Sequence, residues 1–141
     1  MALPDPINHQ DFLLTLDTSE LPVVKEALPG VDIWPLFMDA ENGTWVIRAH
    51  FHPGITLPKH FHTGTVHFYT LSGCWYYLEY PDQKQTAGSY LYEPGGSIHT
   101  LHTPADNEGV TDGFIIVSGC NINFDEDNNY MNTMDAGWIE Q

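Results

Sequence analysis

Between residues 44 and 124, short runs of alternating apolar and polar residues are cut by glycine, proline, asparagine and serine. This pattern constrains the fold more than any other feature of the chain. Trp45, Ile47, Ala49 and Phe51 alternate with Val46, Arg48, His50 and His52, the period of a strand with one buried face. Further strands are predicted over 66–71, 74–80, 89–92, 98–102, 110–117 and 121–124, with turns at Ser72-Gly73 and over 81–85. Upstream, 12–16 reads as a short strand and 31–38 as an extended apolar segment. Pro22 and Pro29 limit any helix over 19–28 to a turn or two. Many short strands and almost no helix predict an all-β antiparallel sandwich or barrel, and closing a barrel removes exposed strand edges.

A chain of 141 residues is one domain of ordinary size. We divide it into an N-terminal arm with flanking strands (1–40), a barrel core (41–124), and a C-terminal turn and tail (125–141). The formal charge is −15, and Lys25, Arg48, Lys59 and Lys84 are the only cations. No basic face can form, which argues against a nucleic-acid binder and disfavours anionic membranes. The chain has no apolar run of about 18 residues and no signal-peptide pattern at its start, so a cytoplasmic protein is expected. Cys74 and Cys120 read as buried or half-buried thiols rather than a disulfide framework.

Two stretches carry the chemistry. The first holds His60 and His62, two residues apart and therefore on one side of an extended segment. The second ends at His99. Neutral imidazoles are good ligands for Fe, Zn, Ni or Cu, and three from two strands can hold one ion with positions left open. Glycine and proline frame both stretches: Gly54-x5-His60-x-His62-x4-His67-x5-Gly73, then Gly88-x5-Pro94-x-Gly96-x2-His99.

These frames resemble the two motifs of the cupin superfamily. Two positions depart from the pattern: His67 stands where a glutamate is usual, and Thr103 where the second motif ends in asparagine. The resemblance implies a single-domain cupin, a double-stranded β-helix or jelly-roll barrel, with one metal ion. The segments 71–80 and 88–100 resemble the cupins grouped with 2,4'-dihydroxyacetophenone dioxygenase, over about residues 29–135. Acetylacetone dioxygenase is a more distant likeness. Carried over by position, the metal ligands of the first group fall on His60, His62, Glu79 and His99, with Fe(II) the expected metal and Zn, Ni or Mn as alternatives. Glu79 has separate support. On a regular strand it shares a face with Trp75 and Tyr77, where a carboxylate is costly unless it is paired or metal-bound.

The implied activity is an O2-consuming cleavage of a C–C bond beside a carbonyl, in a small 2-hydroxyketone or β-diketone. Tyr77, Trp75 and Tyr69 are candidate pocket walls, with Phe68 a further one, although Phe68 and Tyr69 cannot both face inward. His67 is the candidate general base, or a substitute ligand. His50 and His52 either line the pocket, meet another subunit, or lie on a half-exposed strand. His102 is read as structural, and His9 as part of the loose arm. A homodimer or higher oligomer is expected, with Trp34, Leu36 and Phe37 either supplying the contact or covering their own barrel. Two other readings stay open: a non-enzymatic, sensor-like metal-binding cupin, and a redox-inert isomerase or lyase. Asp125-x-Asp127-x-Asn129 resembles the start of a calcium loop, but Tyr130 and Ala136 replace its glycine and glutamate, so a hairpin turn is expected.

Overall fold

The structure is a computed structural model that describes residues 13–140. The expected arm, His9 and the first residue of the strand predicted at 12–16 lie outside these residues. Twelve strands are present among the described residues: β1 Val24–Leu28, β2 Val31–Asp39, β3 Thr44–Phe51, β4 His60–His62, β5 Val66–Ser72, β6 Cys74–Tyr77, β7 Gln85–Thr86, β8 Tyr90–Glu93, β9 Leu101–His102, β10 Thr111–Ser118, β11 Asn121–Phe124 and β12 Tyr130–Met134. A short helix, α1 Ala136–Glu140, closes the chain. The large sheet runs β1-β2-β3-β10-β5-β8, and two three-stranded sheets run β12-β11-β4 and β7-β6-β9. Every pairing is antiparallel. The expected all-β barrel is what the chain forms.

Alternation decides the interior. Trp45, Ile47, Ala49 and Phe51 of β3, Val66 and Phe68 of β5, and Ile115 and Val117 of β10 are buried in one core. Trp75 and Tyr77 of β6 join it from a smaller sheet. Each such side chain contributes about 1.5–3 kcal/mol by leaving water, so the closed core holds the barrel together. Positive φ is required at Gly73 (92°), where β5 turns into β6, and an added Cβ there would meet Thr111 at 2.5 Å.

Four expectations need correction. No strand covers 13–17; Asp17 instead caps a 3₁₀ turn, Thr18–Glu20, by accepting from the Ser19 N–H at 3.0 Å. The second half of 19–28 is strand β1, because the prolines stop a helix and Val24 and Leu28 pair with β2. The tail is ordered as β12 and α1, since Met134 and Ala136 are buried there. The strand predicted over 74–80 stops at Tyr77, where the chain turns and Tyr80 N–H donates to the Tyr77 carbonyl. The segment 125–129 is the expected hairpin turn, with Asp125 Oδ1 accepting from the N–H groups of Asp127 and Asn129.

Candidate metal centre

β4 is only three residues long, and both of its histidines point into the barrel. β11 pairs along one side of it, with His60 opposite Asn123 and His62 opposite Asn121. On the other side His99 lies directly opposite His60, each donating its N–H to the other's carbonyl at 2.9–3.0 Å. That bridge brings in the third imidazole. The Pro94-Gly95-Gly96 turn sets its approach: Gly96 has φ +83°, and its N–H donates to the His62 carbonyl at 2.8 Å. His60, His62 and His99 are all buried, and their ligand atoms lie within 4.8 Å of one another. This is the scale of a single-ion site.

The backbone sets at least one tautomer. His60 Nδ1–H donates to the Pro58 carbonyl at 2.9 Å, so the lone pair is on Nε2. Burial is the main cause that lowers His60 to a pKa of about 4, with His99 adding to it. His62 falls to about 3, first by burial and then through His60 and His99, while Asn121 opposes the shift. Both rings are neutral at pH 7, the form that binds metals.

A carboxylate completes the cluster, and it belongs to Glu93. In the β5–β8 register Glu93 lies opposite Val66 and Leu91 opposite Phe68, so both point inward. Glu93 is 4% exposed, and its Oε2 lies 3.2 Å from His99 Nε2 and 3.6 Å from His62 Nε2. Its Oε1 accepts from the Tyr77 hydroxyl. Neither Glu93 Oε2 nor His99 Nε2 has a hydrogen-bond partner. Imidazole lone pairs and a carboxylate oxygen facing one another in a buried site repel, and a divalent cation relieves the repulsion. The donor set therefore fits a metal ion held by His60, His62 and His99, with Glu93 within reach as a fourth donor.

The structure thus brings together three of the four sequence-derived ligands and separates the fourth. Glu79 is exposed, and its carboxylate accepts from the Thr100 N–H. Because β6 ends at Tyr77, the alternation that would have turned Glu79 inward does not reach it. His67 also lies away from the centre: it is on the outer face of β5, with Nδ1 2.6 Å from the Tyr90 hydroxyl. It can be neither ligand nor general base there. Tyr69 is 44% exposed on that same outer face, which removes it from the pocket. Trp75 and Tyr77 do line a cleft of about 260 Å3, together with Glu93 and His99. Tyr77 stacks on the His99 ring at 4.0 Å. A second cavity of about 80 Å3 lies inside the barrel and is walled by apolar side chains with His60, His62 and Glu93. Sequence reasoning missed Glu93; the signal that could have found it is that it is the one acidic residue of its strand, on the face of Leu91 and six positions before His99.

Residues 10–112 match the ChrR Cupin-like domain family. The chain is a cupin of that family. A structure from Ralstonia eutropha, a protein of unknown function with a cupin-like fold, is 61% identical, with a TM-score of 0.87 over 95% of this chain and 84% of that one. A second cupin from Ralstonia eutropha, described as RmlC-like, is 26% identical with a TM-score of 0.82, covering 89% and 81%. An acetylacetone dioxygenase from Acinetobacter johnsonii shares the fold at 14% identity and a TM-score of 0.76, covering 99% and 95%. No curated protein matches the sequence. Among the described residues no helix is long and apolar enough to cross a membrane.

Proposed function

We propose that this cupin is a mononuclear non-haem iron(II) dioxygenase that cleaves a C–C bond adjacent to a carbonyl. Its substrate class is a small 2-hydroxyketone or β-diketone, as in the 2,4'-dihydroxyacetophenone dioxygenases that its sequence resembles. One observation carries the reading: three buried imidazoles and an unpartnered carboxylate oxygen converge where an aromatic cleft meets the barrel interior. The acetylacetone dioxygenase fold of the Acinetobacter protein supports it.

When bound, the iron would supply Lewis acidity toward the substrate oxygens and the capacity to react with O2. The protein's own groups orient and shield. His60, kept in one tautomer by Pro58, presents Nε2, and Tyr77 holds Glu93 by its hydroxyl. Trp75 and Tyr77 give the cleft an apolar aromatic wall beside His99 and Glu93. Glu93, beside His99 and open to the cleft, is the group placed to accept a proton from an acidic hydroxyl or α-carbon.

Oxygen uptake by anaerobically Fe(II)-loaded protein, given 2,4'-dihydroxyacetophenone or acetylacetone, tests the reading. Stoichiometric uptake that yields a carboxylic product and is lost in His99→Ala is expected. Tight metal binding without uptake on any 2-hydroxyketone or β-diketone would overturn it.

The four-donor set favours a second reading, a non-enzymatic metal-binding cupin. Three imidazoles and Glu93 could close a tetrahedral zinc site with no position left for substrate. In that case zinc would raise the melting temperature, and no ketone would perturb the metal.

A further inference from the structure

The cleft lined by His99 and Glu93 is also lined by Gln83, Gln85 and Ser97. Gln85 sits on β7, directly across from the fully buried Trp75. Its Nε2 donates to the Gln83 carbonyl at 3.2 Å, which fixes the orientation of the amide. The other amide atom, Oε1, is buried and has no hydrogen-bond partner. A buried acceptor of this kind is costly to leave unmade, so it is a standing demand for a donor.

Charge narrows what can supply that donor. None of the chain's four cations lines this cleft. Arg48 is held by Asp112 on the outer face, Lys59 by Asn128, and Lys84 lies over the Tyr76 ring. Among the described residues, Glu93 is the one formally charged side chain on the cleft wall, and it is negative. An anionic group at the Gln85 end would find no cation to pair it and would face the Gln85 side-chain carbonyl oxygen, itself an acceptor.

We infer that Gln85 is a specificity-determining residue, whose Oε1 accepts a hydrogen bond from a hydroxyl or N–H carried by a neutral substrate. This rests on the reading that the metal takes the carbonyl end of the ligand. The cleft then reads two groups at once: a metal-binding carbonyl at His99 and Glu93, and a donor at Gln85. A carboxylate at the Gln85 end would set acceptor against acceptor. A site built to accept from a substrate hydroxyl also discriminates against analogues that lack it, because the acceptor is left unpaired.

The test uses the Co(II)-loaded full chain, whose visible bands report directly on the metal, with calorimetry for affinity. The ligands are 2-hydroxyacetophenone and its 3'-hydroxy, 4'-hydroxy, 4'-methoxy and 4'-carboxy derivatives. One of the ring-hydroxylated ligands is expected to bind roughly tenfold tighter than the unsubstituted and methoxy ligands. The carboxylate should bind weakest. In Gln85→Leu the hydroxylated and unsubstituted ligands should become equal, with the cobalt bands of the ligand-free protein unchanged. Equal affinities across the neutral series in wild type would overturn the assignment, whether or not the variant folds. So would a hydroxyl preference that survives in Gln85→Leu. If no ligand shifts the cobalt bands, the metal–ketone reading fails and the assignment falls with it.

Discussion

The barrel carries imidazoles on both faces, and the two sets differ in what satisfies them. Outside, each ring has a partner of its own. His50 Nε2 lies 3.4 Å from Asp112, His52 Nε2 3.1 Å from Asp32, His67 Nδ1 2.6 Å from the Tyr90 hydroxyl, and His102 Nδ1 2.8 Å from the Thr56 hydroxyl. Inside, His60, His62 and His99 face one another and Glu93, and His99 Nε2 and Glu93 Oε2 are left without hydrogen bonds. The outer rings are spent on the fold's own surface contacts. The inner cluster has donor atoms that a cation would satisfy. Histidine count and spacing do not separate the two sets, whereas burial and the convergence of ring nitrogens on one point do.

Acid should strain this contrast most. His60 and His62 stay neutral in the fold down to about pH 4 and about pH 3, whereas the ordinary imidazole value is 6.5. Between those limits the unfolded chain binds more protons than the folded one. Stability of the metal-free protein is therefore fully present above pH 6.5 and falls as pH drops toward 3. By pH 4.5 the loss is on the order of 5 kcal/mol for the two rings together. Urea unfolding at pH 7, 5.5 and 4.5 measures it, and a His60→Gln/His62→Gln double variant should flatten most of the slope.

The next largest effect is on metal affinity. His99→Ala should weaken binding by more than about 3 kcal/mol, over a hundredfold, because a direct ligand outweighs any supporting contact. Competition against a chromophoric chelator reads the change, and wild-type affinity in this variant would erase the distinction between the faces. Tyr77→Phe removes the hydroxyl that holds Glu93 and leaves a buried carboxylate oxygen alone. It should cost about 1–3 kcal/mol of stability and about tenfold in metal affinity. Melting and the same chelator assay would separate the two losses.

Glu79→Ala provides the sharper control. It deletes only the acceptor for the Thr100 N–H, so about 1 kcal/mol of stability should go while metal affinity holds. A large loss of metal binding would return Glu79 to the site. The smallest effect is expected from His52→Gln on the outer face, under about 1 kcal/mol by melting and without influence on the metal.

Strand β3 and strand β6 show how far a pattern can be followed. β3 runs for eight residues, and its alternation predicts every buried position. β6 begins with the same alternation at Trp75 and Tyr77, but the chain turns after four residues. Extending the period by one step put Glu79 inside, when it is outside. Glu93 was hidden for a related reason. Its strand is only four residues long, too short for alternation to mark the buried face, and the pairing with β5 decides it.

The sequence by itself determined the all-β class, the turns, the acidic character and the two glycine–proline frames bearing His60, His62 and His99. These are local matters of backbone geometry and residue period, and they need no knowledge of what lies opposite. Tertiary structure alone decided which carboxylate joins the imidazoles, which histidines are already satisfied, and that Gln85 ends in a buried acceptor without a donor. Those outcomes depend on strand register and on where a strand stops. Both are set by pairing between segments distant in the chain, and a shift of one residue in either sends a side chain to the opposite face.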